Sequence, residues 1–129
     1  MAVNVALDTN AYSEFMRGES TRVQIVRSAR RIFLPLIVLG ELQAGFVAGN
    51  RESDNSANLQ RFLNSARVSV LLPDEQTTHH YAQIHLQLRR QGLAIPTNDL
   101  WIAALTIQHG LILCTSDAHF KHIPQVPRC

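Results

Sequence analysis

Short apolar runs alternate along this chain with longer stretches in which apolar residues recur every three or four positions, a pattern that predicts strands and helices in turn. Val3, Val5, Ala6 and Leu7 form the first β-prone run, ended by Asp8-Thr9-Asn10, whose side chains suit a helix cap. Helical composition follows over 10–17 and about 20–30, split near Gly18, before Ile32-Phe33-Leu34-Pro35 reads as a second strand. From Ile37 to Val47 the chain is apolar over a helical length and stops at Gly49-Asn50. Asp54 can start a further amphipathic helix bearing Leu59, Phe62 and Leu63. Val68, Val70, Leu71 and Leu72 give a third strand, after which Asp74 can cap a helix with Tyr81, Ile84 and Leu88 on one face and Gly92 at its end. Beyond Pro96, Asn98 or Asp99 starts a helix from Leu100 to Gln108 that is apolar on nearly every side and so belongs in the core. Gly110 ends it, and Leu111, Ile112, Leu113 and Cys114 make a fourth strand. Thr115-Ser116-Asp117 reads as a strand-to-helix cap, and the tail through Val126 leaves room for a stub of a fifth strand.

Strands alternating with helices imply an α/β fold with a parallel sheet covered on both faces. In such open sheets, ligands bind beyond the carboxyl ends of the strands, where strand order reverses. A length of 129 residues suits a single domain over 1–129 that buries one core without disulfide or metal staples. Cys114 and Cys129 are too sparse for a disulfide framework and suit a reducing cytosol. No run approaches the roughly 18 apolar residues of a membrane helix, and Asp8 interrupts the N-terminal apolar stretch before a signal-peptide core can form. The expectation is a soluble, cytoplasmic protein. A net charge of +2 says little about a polyanionic partner, but Lys121 is the sole lysine and the other basic residues are arginines, which grip phosphate bidentately. Arg27, Arg30 and Arg31 cluster, as do Arg89 and Arg90, in positions that also suit solvated helix faces.

Acidic residues fall where such a fold does its chemistry. Asp8 follows the first strand directly and Asp117 follows the fourth by three residues, so if those strands are neighbours the two carboxylates share one sheet edge. Asp99 stands at the start of the buried helix leading into strand four, and Glu41 lies in the first turns of the helix after strand two. Each aspartate has a competing role as a helix cap worth about 1 kcal/mol. Glu41 differs, because within Leu36-Ile37-Val38-Leu39-Gly40-Glu41-Leu42 an unpaired carboxylate is costly to bury and needs a partner or a metal. Carboxylates held together repel one another unless a cation neutralises them. Oxygen ligands favour Mg²⁺ or Mn²⁺ over zinc.

Val5-Ala6-Leu7-Asp8-Thr9-Asn10, Gly40-Glu41-Leu42, Asn98-Asp99-Leu100-Trp101-Ile102-Ala103-Ala104 and Cys114-Thr115-Ser116-Asp117-Ala118-His119-Phe120 resemble the four motifs of PIN-domain nucleases, in the family's order and spacing over essentially the whole chain. Among these the chain most resembles VapC toxins. The resemblance implies a three-layer α/β/α sandwich with a central, mainly parallel sheet in the order 3-2-1-4-5. It implies a Mg²⁺ (or Mn²⁺) site of Asp8, Glu41, Asp99 and Asp117, with Asp8 and Asp99 as direct ligands and Glu41 and Asp117 binding directly or through water. Thr9, Asn10 and Thr115 match the family pattern as polar neighbours that orient carboxylates or water. The implied activity is metal-dependent endoribonuclease cleavage of tRNA or rRNA by the toxin of a type II toxin-antitoxin pair. A VapB-like antitoxin and a second copy of the chain, forming a homodimer, are the implied partners. Pro124 to Cys129 is short for the family's final strand.

Other residues carry less. His79, His80 and His85 lack the HExxH spacing of a zinc site, and His119 and His122 lie near the proposed site with nothing in their spacing that sets them apart from exposed histidines. Trp101 reads as a core anchor. A receiver-type Mg²⁺-binding signalling domain would need adjacent acids and a lysine at the site, whereas Leu7 precedes Asp8 and the sole lysine is Lys121. A non-catalytic PIN-like binding module is the other alternative, and the presence of all four acids argues against it.

Overall fold

The computed structural model describes residues 2–129. Four parallel strands, β1 (Asn4–Leu7), β2 (Arg31–Pro35), β3 (Val68–Leu71) and β4 (Ile112–Cys114), form one sheet in the order β3-β2-β1-β4. They are flanked by α1 (Thr9–Met16), α2 (Ser20–Ser28), α3 (Leu36–Ala48), α4 (Glu52–Leu63), α5 (Glu75–Arg90) and α6 (Thr97–Gln108), in the α/β/α arrangement expected of the sequence. Register pairs Val5 with Ile32 and with Ile112, so β1 lies at the centre and its apolar residues Val5, Ala6 and Leu7 are fully buried. A central parallel strand is covered on both faces, which is why this run is continuously apolar and does not alternate.

The core gathers Leu34, Val38, Leu59, Ile84, Ile102, Leu105, Leu113 and Phe120 around that strand. Helix α6 is buried over Asp99–Thr106 except at Trp101, in keeping with its apolar sequence. Gly110 turns the chain from α6 into β4 at φ +61, a left-handed conformation that a residue with a Cβ adopts only at a cost. Its neighbour Leu111 donates its N–H back to the Thr106 carbonyl at 3.0 Å, closing the helix end and aiming β4 alongside β1.

Several boundaries differ from the pattern. Helix α4 begins at Glu52, ahead of Asp54, and α6 begins at Thr97 behind Pro96, ahead of Asn98 and Asp99, because proline's fixed φ suits a helix entry. Val3, Leu72 and Leu111 lie just outside their strands, with Val3 and Leu72 exposed. The final strand expected in the 3-2-1-4-5 order is reduced to one bridge between Leu113 and Arg128, so four strands make the sheet. Trp101 is no core anchor: it is half-buried and packs on Tyr81 with ring centroids 4.3 Å apart, at the seam between α5 and α6.

Candidate active site

Pairing of β1 with β4 brings their carboxyl ends together, and Asp8 and Asp117 follow those ends. Asp8 Oδ1 accepts the Ala11 N–H at 2.8 Å and caps α1, while its Oδ2 accepts the Thr115 hydroxyl. Capping of α1 and a hydrogen bond to the loop after β4 therefore coexist on one carboxylate, which is buried to 4 % exposure. The Thr115 oxygen also accepts the Asp117 N–H at 2.9 Å, so one hydroxyl ties together the loops that carry the two aspartates. Asp117 Oδ1 in turn accepts the His119 N–H at 2.9 Å and starts the 3₁₀ turn Ala118–His122.

Asp99 makes no cap. It stands in the first turn of α6, where Pro96 fills the N-cap position, and its carboxylate faces His119. His119 Nδ1 lies 2.7 Å from Asp99 Oδ2 and 3.1 Å from Asp117 Oδ1. Asp99, Asp117 and His119 each present a ligand atom within 4.8 Å of the others, an arrangement able to hold a metal ion. Nothing in the spacing of His119 sets it apart, yet the Asp117 cap folds its ring back onto the two carboxylates. An i,i+2 spacing from a capping aspartate is the signal that could have found it.

Glu41 joins from α3 through Thr9, whose hydroxyl donates to Glu41 Oε1 at 2.7 Å. It is only half-buried, because the apolar stretch around it does not sink into the core: Leu36 and Gly40 are exposed, and Val38 and Leu42 are the residues of α3 that are buried. The expected burial cost at Glu41 is thus smaller than its neighbours suggest. Asn10 is exposed in the first turn of α1, outside this hydrogen-bond web. His79 and His85 are exposed and His122 is exposed, while His85 stacks on Tyr81 at 6.2 Å.

A buried cation unforeseen in the sequence stands behind the acids. Arg22, 6 % exposed in α2, reaches Glu14 Oε1 at 3.5 Å and Ser116 Oγ at 3.4 Å, and Ser116 donates to Glu14 at 2.9 Å. This braces the loop between Thr115 and Asp117 against α1. The arginine clusters noted in the sequence, 27, 30 and 31 and 89 and 90, are exposed.

Burial raises the pKa of Asp8, opposed by its hydrogen bonds from Thr115 and Ala11, with the Asp117 charge adding to the rise. Asp99 is also raised, by burial first and then by the charges of Asp117 and Glu41, while its bond to His119 lowers it. His119 is raised by its bond to Asp99 and by the Asp117 charge. The donor set is oxygen-rich, its charges converge, and one imidazole alone spans two of the carboxylates; such a set fits a hard divalent cation.

These shifts set a pH dependence for the metal-free protein. A carboxylate whose folded pKa exceeds its ordinary 3.8 binds more protons folded than unfolded, so stability falls as pH rises through that window. His119, raised above 6.5, contributes fully below that value and loses its contribution as pH climbs through the raised one. The capping carboxylates Glu19 and Asp74 are lowered, so their contribution is complete above the ordinary carboxylate pKa and is lost only at more acid pH. In EDTA the melting temperature should therefore be higher near about pH 5 than near about pH 8, and Asp8→Asn/Asp99→Asn should flatten the difference. A calorimetric series that rises toward alkaline pH contradicts this.

Comparison with known proteins adds the family. The PIN domain model matches residues 5–126, nearly the whole chain. The chain belongs to the PIN-domain family. Within it, this PIN domain is 30% identical over 115 residues to Ribonuclease VapC4 of Mycobacterium tuberculosis, covering 88% of each chain. It is 32% identical over 113 residues to Ribonuclease VapC1 of Haemophilus influenzae, covering 84% of this chain and 83% of that one. It superposes with a TM-score of 0.88 and 26% identity on a chain of VapBC2 from Rickettsia felis bound to a DNA fragment from their promoter, covering 98% and 97% of the two chains.

Proposed function

We propose that this PIN domain is a divalent-metal-dependent endoribonuclease, the VapC-type toxin of a type II toxin-antitoxin pair, acting on tRNA or rRNA. The carrying observation is that Thr115 links Asp8 to Asp117 and His119 links Asp117 to Asp99 at the carboxyl edge of β1 and β4, in a chain that shares its length with named VapC ribonucleases. Asp8 and Asp99 would hold the ion directly, and Glu41 and Asp117 would hold it directly or through water. Mg²⁺ or Mn²⁺ bound there supplies polarisation of the scissile phosphodiester and stabilisation of the charge that develops during its hydrolysis.

The chain's own residues prepare that site. Thr115 fixes one oxygen of Asp8 and the backbone of Asp117, and the Ala11 N–H fixes the other oxygen of Asp8, so neither side chain needs to search for its position. Thr9 orients Glu41. His119 holds Asp99 and Asp117 together and can carry a proton at Nδ1 between them. Thr115→Val removes both bonds while keeping the shape, and cleavage should fall about 10- to 100-fold. Initial-rate assays at saturating Mg²⁺ check this, and an unchanged rate excludes the orienting role.

Resemblance to a VapBC complex supports a VapB-like antitoxin as partner. A homodimer is supported by large apolar side chains left in solvent, Leu36 at 45%, Val47 at 65% and Leu72 at 60% exposure. Among the described residues no helix is long and apolar enough to cross a membrane, and the proposed place of action is the cytoplasm. The test is incubation of antitoxin-free protein with bulk tRNA and rRNA in Mg²⁺ or EDTA. Discrete cleavage in Mg²⁺ alone supports the reading, and intact RNA across a broad panel overturns it.

A further inference from the structure

Two cysteines that cannot make a framework are brought side by side by the fold. Cys114 ends β4 and is buried, and Cys129 is exposed. The segment before Cys129 runs parallel to β4: Arg128 bridges Leu113, the Leu113 N–H donates to the Pro127 carbonyl at 2.8 Å, and the Cys129 N–H donates to the Leu113 carbonyl at 2.9 Å. One step further along this register, Cys129 stands opposite Cys114 with both side chains on the same face of the sheet. Neighbouring strands lie about 4.8 Å apart, within the roughly 4.4–6.8 Å that separates the Cα atoms of a disulfide. Arg22 lies beside the two cysteines, donating from Nη1 to the Cys129 carbonyl at 3.4 Å, and its Nε is buried without a partner.

We propose that Cys114 and Cys129 are an oxidative modification site, converted by a peroxide into an intramolecular disulfide. The Cys129 thiolate attacks a peroxide oxygen, the O–O bond breaks, and a sulfenic acid forms as water leaves. Cys114 then attacks that sulfur and gives up its proton; the S–S bond forms and a second water leaves. Two thiols lose two electrons in all, and one hydrogen peroxide gains them. The adjacent Cys114 thiol, helped by the Arg22 charge and opposed by burial, lowers the Cys129 thiol to about 7, which favours it as the attacking group. The Cys114 carbonyl accepts the Asp8 N–H at 3.3 Å and Thr115 follows it, so the bond would form on the strand that carries the acidic site. The proposal stands on the register and the thiol pair, independently of the nuclease reading.

Reduced protein is treated with stoichiometric hydrogen peroxide, denatured, alkylated and weighed intact. The expected product is monomeric, lighter by two hydrogens, carries no alkyl group, and regains both thiols on treatment with dithiothreitol. In Cys114→Ser the reaction should stop at a sulfenic acid that dimedone traps on Cys129, and in Cys129→Ser the buried Cys114 should remain a thiol. Two alkylatable thiols after oxidation, a product joined only between chains, or Cys129 oxidised to a sulfinic acid beside a free Cys114 would each overturn the proposal. Should Cys114→Ser fail to fold, the mass of the unmodified protein decides alone.

Discussion

Asp99→Asn should lose metal-dependent RNA cleavage by about a thousandfold or more, which corresponds to about 4 kcal/mol of transition-state stabilisation. The substitution keeps the size of the side chain and removes the charge, at a residue that is buried and makes no capping bond whose loss would unfold α6. Its carboxylate instead faces His119 at 2.7 Å and feels the charges of Asp117 and Glu41. Because Asp99 is raised by burial and by those neighbours, its ionised form costs stability in the absence of a cation. Asp99→Asn measured in EDTA at neutral pH should therefore melt no lower than the unmodified protein, and this pairing separates lost chemistry from lost fold. Full cleavage by Asp99→Asn would remove this residue from the site, whereas loss of cleavage together with a lower melting temperature would assign it a structural role.

Much of this fold is legible in the sequence because a parallel sheet buries its strands on both faces. Val5-Ala6-Leu7, Ile32-Phe33-Leu34 and Ile112-Leu113-Cys114 are short and apolar for that reason, and each is a strand. The acids after β1 and β4 are legible too, since ligands gather at that edge. Glu41 shows where one-dimensional reasoning breaks down. Its apolar neighbours suggested a buried helix, but α3 presents Leu36, Ala44 and Val47 to solvent, so apolar sequence there marks a surface available to a partner and not an interior. Trp101 misleads in the same way, as one half-buried ring within the otherwise buried stretch Asp99–Thr106 of α6. Arg22 and His119 are illegible for a different reason. Arg22 takes its meaning from Glu14, Ser116 and Cys129, which approach it only through tertiary packing, and His119 takes its meaning from Asp99, 20 positions away.

A divalent cation should stabilise the folded chain by RT ln(1 + [L]/Kd), about 2.7 kcal/mol at a hundredfold excess over Kd. For a chain of 129 residues this is a rise in melting temperature on the order of 10 °C. The size follows from the site and not from any new fold, because Thr115, Ala11 and His119 already hold Asp8, Asp117 and Asp99 in position, and little ordering remains to oppose binding. The rise should be larger at neutral than at mildly acid pH, since protons compete for Asp8 and Asp99, both of which titrate above the usual carboxylate range. Scanning calorimetry with Mg²⁺, Mn²⁺ and EDTA measures it directly. Asp8→Asn/Asp99→Asn should abolish the rise, and a shift that survives in the double variant would place the ion elsewhere on the protein. In that case Asp99→Asn could still lose cleavage, but through contact with RNA and not through the ion, so the two measurements together decide whether the acidic edge is a metal site or an RNA-facing surface.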